Sequence, residues 1–398
     1  MSEAREPADP RYGPPRRGLP EPPAVGASAL PPATYRGRSV LVTGGGTGLG
    51  KAIAAEFARL GAVLLLVSRD AGHLADAQAE LAALGAGVRT ATCDIRDPER
   101  IAGVFAEHGT PDVLVNSAAA NFPVPAEDMS PNAWRAVVDI TLTGTWFMTR
   151  EFGRRHLAAG TPGSVICVGA SYAWTGGPGF AHSSAAKAGV KNLVETLAVE
   201  WGPYGIQING LVPGLMPHED MTADIRDGLR AAGPYAAGPR AAGPGMAGSH
   251  AAGPGMAGPR AAGPGMAGSA MAGPDKTRSP AAPPAPLPDA GEPPAPLPDA
   301  GEPPAPIPGP GDRPGPLPGA LADPLAGLGS RQPALRVGLP RELGWAATFL
   351  ASPYARYITG HTLVVDGANW QRRGVVSPPV VTVREQLGRG PFRPEGLG

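Results

Sequence analysis

From Ser39 onward the chain alternates short apolar runs with longer stretches of helical period. The runs Ser39–Thr43, Val63–Val67, Arg89–Cys93, Val113–Asn116, Ser164–Val168 and Gln207–Val212 read as strands. Each of the first five is followed by a helical stretch, which predicts a parallel sheet with helices on both faces. The strands are near-continuous apolar runs, as expected when both sheet faces are covered. In the first helix Leu49, Ile53, Phe57 and Leu60 share one face, and Gly61 stops it. The pattern fades near Asp224 and returns at Leu335. A helix then begins at Arg341-Glu342-Leu343 and runs through Ala346, Phe349 and Leu350, and His361–Gly367 gives a last strand. The reading is a single doubly wound α/β domain of seven strands, in the order 3-2-1-4-5-6-7.

The interval between these parts is of another kind. Residues from about 230 to 275 repeat a ten-residue unit, AAGPGMAGPR and its variants, and residues from about 283 to 318 repeat PPAPLPDAGE. Such units hold too few large apolar residues to offset the entropy of ordering them. The second block should populate extended polyproline conformations. Met246, Met256, Met266 and Met271 recur in the first block. A soft-metal role is one reading of them, and slippage of a repetitive coding sequence is the plainer one. The organisation expected is a disordered arm over 1–36, a domain over 37–228 and 333–374, a disordered insertion over 229–332, and a tail over 375–398. Long surface insertions cost little closure entropy, because the cost grows only logarithmically with length.

Composition narrows the classes. Gly 58 and Pro 51 out of 398 residues, with 5% aromatics, leave much of the chain unable to build a core. The 34 basic residues balance the 34 acidic ones, so nothing argues for nucleic acid or an anionic membrane. Cys93 and Cys167 sit in apolar strands and match no metal or disulfide spacing, so they read as small core residues in a reducing compartment. No metal constellation is expected. No apolar run reaches the roughly 18 residues of a membrane span. The first residues carry Glu3, Glu6, Asp9 and prolines without an apolar core, unlike a signal peptide. The expected compartment is the cytoplasm.

The candidate chemistry begins at Val40-Leu41-Val42-Thr43-Gly44-Gly45-Gly46-Thr47-Gly48-Leu49-Gly50. A strand runs into a glycine-rich turn, and a helix follows at once. Glycines let the backbone fold tightly and approach a ligand, and the helix N-terminus offers unpaired N–H groups to a pyrophosphate. Thr43, Gly44, Gly46, Thr47, Gly48 and Leu49 are therefore nucleotide-site candidates. At the end of the second strand an acidic residue would bind the ribose 2′-OH of NAD. Here Ser68-Arg69 stands instead, a pairing that suits a 2′-phosphate and favours NADP, although Asp70 follows directly. At the third strand's end Asp94-Ile95 could meet an adenine, or Asp94 could cap the next helix. Asn116 and Ala118 close the fourth strand, where small residues let a cofactor ribose lie against the backbone. After the fifth strand come Gly169-Ala170-Ser171-Tyr172 and a helix with Ser183 and Lys187 four apart on one face. Alone, such a lysine reads as a solvated surface residue and such a tyrosine as a loop aromatic. Their place beside the strands' carboxyl ends, where ligands of open α/β sheets bind, makes them candidates.

These residues resemble the short-chain dehydrogenase/reductase superfamily. The resemblance rests on Thr43-Gly44, Gly48-Leu49-Gly50, the Asn116 strand end, Lys187 and Pro213-Gly214, and it covers about 37–222 and 333–370. It implies a Rossmann-type fold, a nicotinamide cofactor at the residues just named, and a homodimer or homotetramer. That superfamily normally places a catalytic Tyr four residues before the Lys, where this chain has Ser183. It has Ala170 where the superfamily's catalytic Ser is expected. The chain is more similar to the NADPH-dependent 2,4-dienoyl-CoA reductases, which also carry Ser at that position. Their mitochondrial type has a Tyr at the position of Tyr172. The runs Ala119-Ala120-Asn121-Phe122, Ser130-Pro131-Asn132-Ala133-Trp134 and Cys93-Asp94-Ile95-Arg96-Asp97-Pro98 are similar as well. Where the mitochondrial type has a catalytic Asn, this chain matches with Thr143, a departure that leaves the oxyanion geometry open.

The resemblance implies NADPH-dependent reduction of a conjugated C=C in an acyl-CoA thioester. Tyr172 would donate to the thioester oxygen, Ser183 and Thr143 would assist, and Lys187 would hold the nicotinamide ribose and add positive potential. A carbonyl or alcohol oxidoreductase on the same fold is the alternative, and a non-catalytic NADP-binding protein is a third reading. Because the repeats supply no core, deleting about 232–328 is expected to keep folding and NADPH binding. Thermal denaturation and cofactor titration check this. A drop of many degrees in melting temperature would place the boundary elsewhere.

Overall fold

The computed structural model describes residues 19–24, 26–218 and 333–370, together with Val383 and Gly388. The repeats, with Met246, Met256, Met266 and Met271, lie outside the described residues.

Seven parallel strands form one sheet. They are β1 (Ser39–Thr43), β2 (Val63–Ser68), β3 (Val88–Thr92), β4 (Val113–Asn116), β5 (Gly163–Val168), β6 (Ile206–Pro213) and β7 (Thr362–Val365), ordered β3-β2-β1-β4-β5-β6-β7. This is the doubly wound order expected, and the parallel sheet agrees with the alternating pattern. The third strand begins at Val88 and stops at Thr92, one residue earlier than the hydropathy suggests at each end. The last strand is shorter than its apolar run, because Gly367 and Ala368 turn to positive φ.

Each strand sends alternate side chains to opposite faces. Val40, Val42, Leu64, Leu66, Val113, Val115 and Ile166 join one core layer with Ile53, Phe57 and Leu343. Leu41, Leu65, Val67, Leu114, Val165, Cys167 and Ile208 join the other with Phe105, Phe152 and Val194. That two-sided burial explains the unbroken apolar runs. The first layer is covered by α1 (Gly48–Arg59), α2 (Ala71–Ala82) and the late helix α8 (Pro340–Leu350). The second is covered by α3 (Pro98–His108), α5 (Gly144–Ala159) and α7 (Ala181–Trp201). A shorter helix α4 (Pro131–Val138) precedes α5, and α6 (Tyr172–Thr175) precedes α7. Both cysteines are buried.

Caps mark several starts. Asp70 accepts the His73 N–H at the start of α2, and Asp97 accepts from Glu99 and Arg100 at the start of α3. Between α4 and α5 the helix opens into one π turn, Asp139–Thr143. Thr145 Oγ1 donates to the Thr141 carbonyl at 2.8 Å and Thr149 Oγ1 to that of Thr145 at 2.7 Å. Such back-bonding bends helices.

The chain after the repeats returns to α1. Gly344 of α8 lies so close that an added Cβ would stand 2.5 Å from Glu56 Cγ and 3.1 Å from the Ala52 carbonyl oxygen. Trp345 Nε1 donates to Glu56 Oε2 at 3.0 Å, and Arg59 pairs with the other oxygen at 3.0 Å. Burial pushes the Glu56 carboxyl up, and these partners oppose the push. The early segment is packed too. Leu30 and Tyr35 are buried in the first layer, and the Tyr35 hydroxyl donates to the Thr348 carbonyl at 2.6 Å. The arm expected over 1–36 therefore ends sooner, because these two side chains find apolar cover among α1 and α8.

Gly344→Ala tests the α1–α8 seam. Forcing a methyl against Glu56 and the Ala52 carbonyl is expected to cost about 1–3 kcal/mol. The melting temperature should fall by several degrees in a thermal scan, and an unchanged midpoint would mean that the helices part without cost.

Candidate active site

The strand order reverses between β1 and β4, so their carboxyl ends border a crevice. The glycine-rich turn lines it. Gly44 has φ +66°, and an added Cβ there would stand 3.0 Å from the backbone of Ala118. Gly48 has φ +54°, and a Cβ on Gly50 would stand 2.3 Å from the Gly44 carbonyl oxygen. The Thr47 side chain makes no cap bond at the N-terminus of α1, and no acidic residue lies in the helix's first turn. The Gly44 N–H is spent on the Val67 carbonyl at 2.7 Å, while the turn allows close approach of the backbone and carries the partial positive charge of a helix N-terminus, which fits a dinucleotide pyrophosphate. His73 and His218 approach it, at 3.2 Å and 3.0 Å from where methyls on Gly46 and Gly48 would be. The sequence reading had singled out neither histidine.

Thr43 ties two strand ends together. Its Oγ1 accepts from the N–H groups of Ser117 at 3.1 Å and Ala118 at 3.2 Å. Asn116 Nδ2 donates to Thr149 Oγ1 at 2.9 Å, and its Oδ1 is buried without a partner. Gly214, after Pro213 at the end of β6, donates to the Val365 carbonyl at 2.9 Å. A Cβ on Gly214 would stand 2.5 Å from Asp366 Cα.

Ser68 ends β2 and Arg69 follows it with its side chain exposed, while Asp70 is engaged as the α2 cap. Asp94 does not cap a helix, a role taken by Asp97. Its carboxylate holds the Arg96 guanidinium, with Nη2 at 2.5 Å from Oδ2, and that hydrogen bond keeps its pKa below the usual range. Arg69 adds to the same effect, so the ends of β2 and β3 form one charged cluster. Ile95 is buried and packs on Gly144 of α5, where a Cβ would meet it at 2.6 Å.

On the other side of the crevice the Tyr172 hydroxyl lies 2.9 Å from Ser183 Oγ. Asn121 Nδ2 reaches the same hydroxyl at 3.4 Å. Burial pushes the Tyr172 phenol above its ordinary value, so it stays protonated and able to donate. Ser183 is 1% exposed, and its N–H donates to His182 Nδ1 at 2.7 Å. Lys187 corrects the expectation of an exposed side chain. It is 7% exposed, and its Nζ donates to the Val168 carbonyl at 2.5 Å. Burial pushes its pKa down to about 8. The lysine is drawn inward because Val168 ends β5 directly beneath α7. Thr143 closes the π turn half-buried, and its hydroxyl bonds to neither Tyr172 nor Ser183. Thr141 is the buried threonine there, accepting the Ala120 N–H at 3.2 Å. Asn121 and His182 were missed as site residues. Asn121 stands in a run similar to the reductases, and His182 precedes Ser183 without any motif to mark it.

Comparison with known proteins agrees with this geometry. The sequence profile described as short chain dehydrogenase matches residues 38–230, and that described as enoyl-(acyl carrier protein) reductase matches 319–368. A probable 2,4-dienoyl-CoA reductase of Bacillus subtilis is 38% identical over 182 residues, 44% of this chain and 72% of that protein. The chain belongs to the short-chain dehydrogenase/reductase family. A probable 2,4-dienoyl-CoA reductase 3 of Caenorhabditis elegans is 38% identical over 203 residues, 49% of this chain. This member of the family spans 65% of that relative's length. Among solved structures, a putative NAD(P)-dependent gluconate 5-dehydrogenase from Beutenbergia cavernae with bound NADP is similar. Its TM-score is 0.57 at 26% identity, covering 86% of this chain and 99% of its own.

Arg69 tests cofactor choice in this family member. Arg69→Ala is expected to remove a charge-assisted contact worth about 1.5–3 kcal/mol. Fluorescence titration should show NADPH weakened far more than NADH, and equal loss for both would refute the assignment.

Proposed function

We propose that the chain reduces a conjugated C=C of an acyl-CoA thioester with NADPH, in the manner of a 2,4-dienoyl-CoA reductase. The observation that carries this reading is the Tyr172–Ser183 hydroxyl pair, 2.9 Å apart, with Lys187 one helical turn from Ser183. Relatives bearing the reductase name support it. NADPH, when bound, supplies the hydride. Thr43, Gly44, Gly46, Thr47, Gly48 and Leu49 would cradle its pyrophosphate. Asn116, Ala118, Pro213 and Gly214 would border its ribose and nicotinamide, and Lys187 would hold the nicotinamide ribose hydroxyls. Ser68 and Arg69 would receive the 2′-phosphate, with Asp94 and Ile95 beside the adenine.

As the conjugated chain is reduced, charge builds on the thioester oxygen, and a donor aimed there lowers the barrier. Tyr172 can accept from Asn121 and Ser183 while its own proton points to that oxygen, and each bond polarises the next. Proton return to carbon then comes from water or from Tyr172. A phenol held protonated by burial suits donation and opposes the role of base that alcohol oxidation needs. That separates this reading from an alcohol oxidoreductase on the same fold. Incubating the protein and NADPH with dienoyl-CoA, enoyl-CoA and ketone substrates tests it, with turnover of ketones alone as the outcome against it.

Tyr172→Phe is expected to lower kcat about 10²–10³-fold, as for loss of one oxyanion donor, with less effect on KM. Ser183→Ala should cost roughly tenfold, the value of a net hydrogen bond. Steady-state kinetics check both. A dead Ser183→Ala beside a near-normal Tyr172→Phe would require the chemistry to be rebuilt around Ser183 and Thr143.

A further inference from the structure

Beside Lys187 lies a cavity of about 10 Å³. That is room for one water molecule. Its walls include Cys167, Gly169, Trp174, Lys187, Gly210 and Thr362. The register sets Cys167, Gly210 and Thr362 in one row across β5, β6 and β7. Gly210 leaves the middle of that row open, and Thr362 fills part of it. An added Cβ on Gly210 would stand 2.6 Å from Thr362 Oγ1. The Thr362 hydroxyl therefore leans over β6 toward β5, where adjacent strands lie about 4.8 Å apart.

Two polar groups meet this space with hydrogen bonds unmade. Thr362 Oγ1 is buried and has no partner. Lys187 Nζ has three donors and spends one on the Val168 carbonyl, which lies between the wall residues Cys167 and Gly169. A buried hydroxyl without a partner is costly, and so is a buried ammonium with few.

We propose that one water fills this cavity and bridges Thr362 Oγ1 to Lys187 Nζ, which makes Thr362 a positioning residue for the lysine. The inference rests on the reading of Lys187 as the lysine that holds the cofactor. The water gives the ammonium a second oxygen, keeps it charged, and leaves its remaining donor directed at the crevice. The other groups near Lys187 leave its charge to this bridge. The Cys167 thiol of β5 is pushed up to about 11 by burial and stays neutral at neutral pH. Lys191 of α7 is paired with Glu195 at 2.5 Å, and the Tyr172 phenol of α6 stays protonated. Gly210 and Val212 of β6 add no titratable group.

The test is NADPH affinity as a function of pH for the wild type, Thr362→Val and Thr362→Ser. Lys187 is half charged near pH 8, so affinity should fall as pH rises through that value. Thr362→Val keeps the shape and removes the hydroxyl. It should move this fall to lower pH by about one unit, the shift expected when an ammonium loses one charge-assisted hydrogen bond. At pH 8 that is about a fivefold loss of affinity. Thr362→Ser should restore the wild-type profile. A Thr362→Val profile that matches the wild type overturns the proposal, as does a shift that Thr362→Ser does not repair, since that would be packing. If Lys187→Ala binds NADPH as tightly as the wild type, the cofactor role of the lysine fails. The bridge is then decided by a wild-type crystal structure at about 1.5 Å or better. The same structure decides it if Thr362→Val does not fold. A water within hydrogen-bond distance of both atoms supports the bridge, and a dry cavity overturns it.

Discussion

When helices cover both faces of a parallel sheet, polar chemistry can surface only at the strand ends. The large apolar side chains of the central strands here are committed to one of two apolar layers. The reversal of order between β1 and β4 then opens a crevice at one of those ends. The glycine turn, Thr43, Asn116, the β2–β3 charges and the β5 terminus all face it as a consequence of topology. None of them had to be brought together by a separate interaction.

Within that frame, burial sets the electrostatics. Lys187 reaches inward to a strand carbonyl and loses much of its hydration, so its charge becomes sensitive to each oxygen around it. The same loss of water leaves Tyr172 protonated. A cation softened by burial and a phenol hardened by it stand on consecutive elements, α7 and α6. In the proposed reaction their different responses to one environment would divide the labour between holding a cofactor and donating a proton.

Much of this was legible in the sequence because the signals were local. Strand positions followed from apolar runs such as Leu64-Leu65-Leu66, and the α1 face from Ile53 and Phe57. Short motifs marked Thr43, Asn116 and Lys187. What escaped reading depended on distance in space. Asp94 read as an adenine acceptor or a helix cap, and its pairing with Arg96 was not visible. The inward reach of Lys187 was hidden because nothing in its helix shows that the Val168 carbonyl lies beneath. Leu30 and Tyr35 were hidden in a proline-rich segment, although two large apolar side chains suffice once α1 and α8 offer them cover. Asn121 and His182 come beside the Tyr172–Ser183 pair through geometry alone.

The return of the chain to its own beginning has a consequence for synthesis. Until α8 and β7 leave the ribosome, the α8-facing side of α1 has no cover and β6 is an open parallel edge. Roughly 150 residues separate the end of β6 from the start of β7, which at typical elongation rates is about 7–30 s of translation. During that interval the nascent chain presents an apolar groove and unpaired strand groups at once, the combination that invites intermolecular pairing. The residues between β6 and β7 thus set a delay in time, over which the exposed groove and strand edge must be kept from other chains.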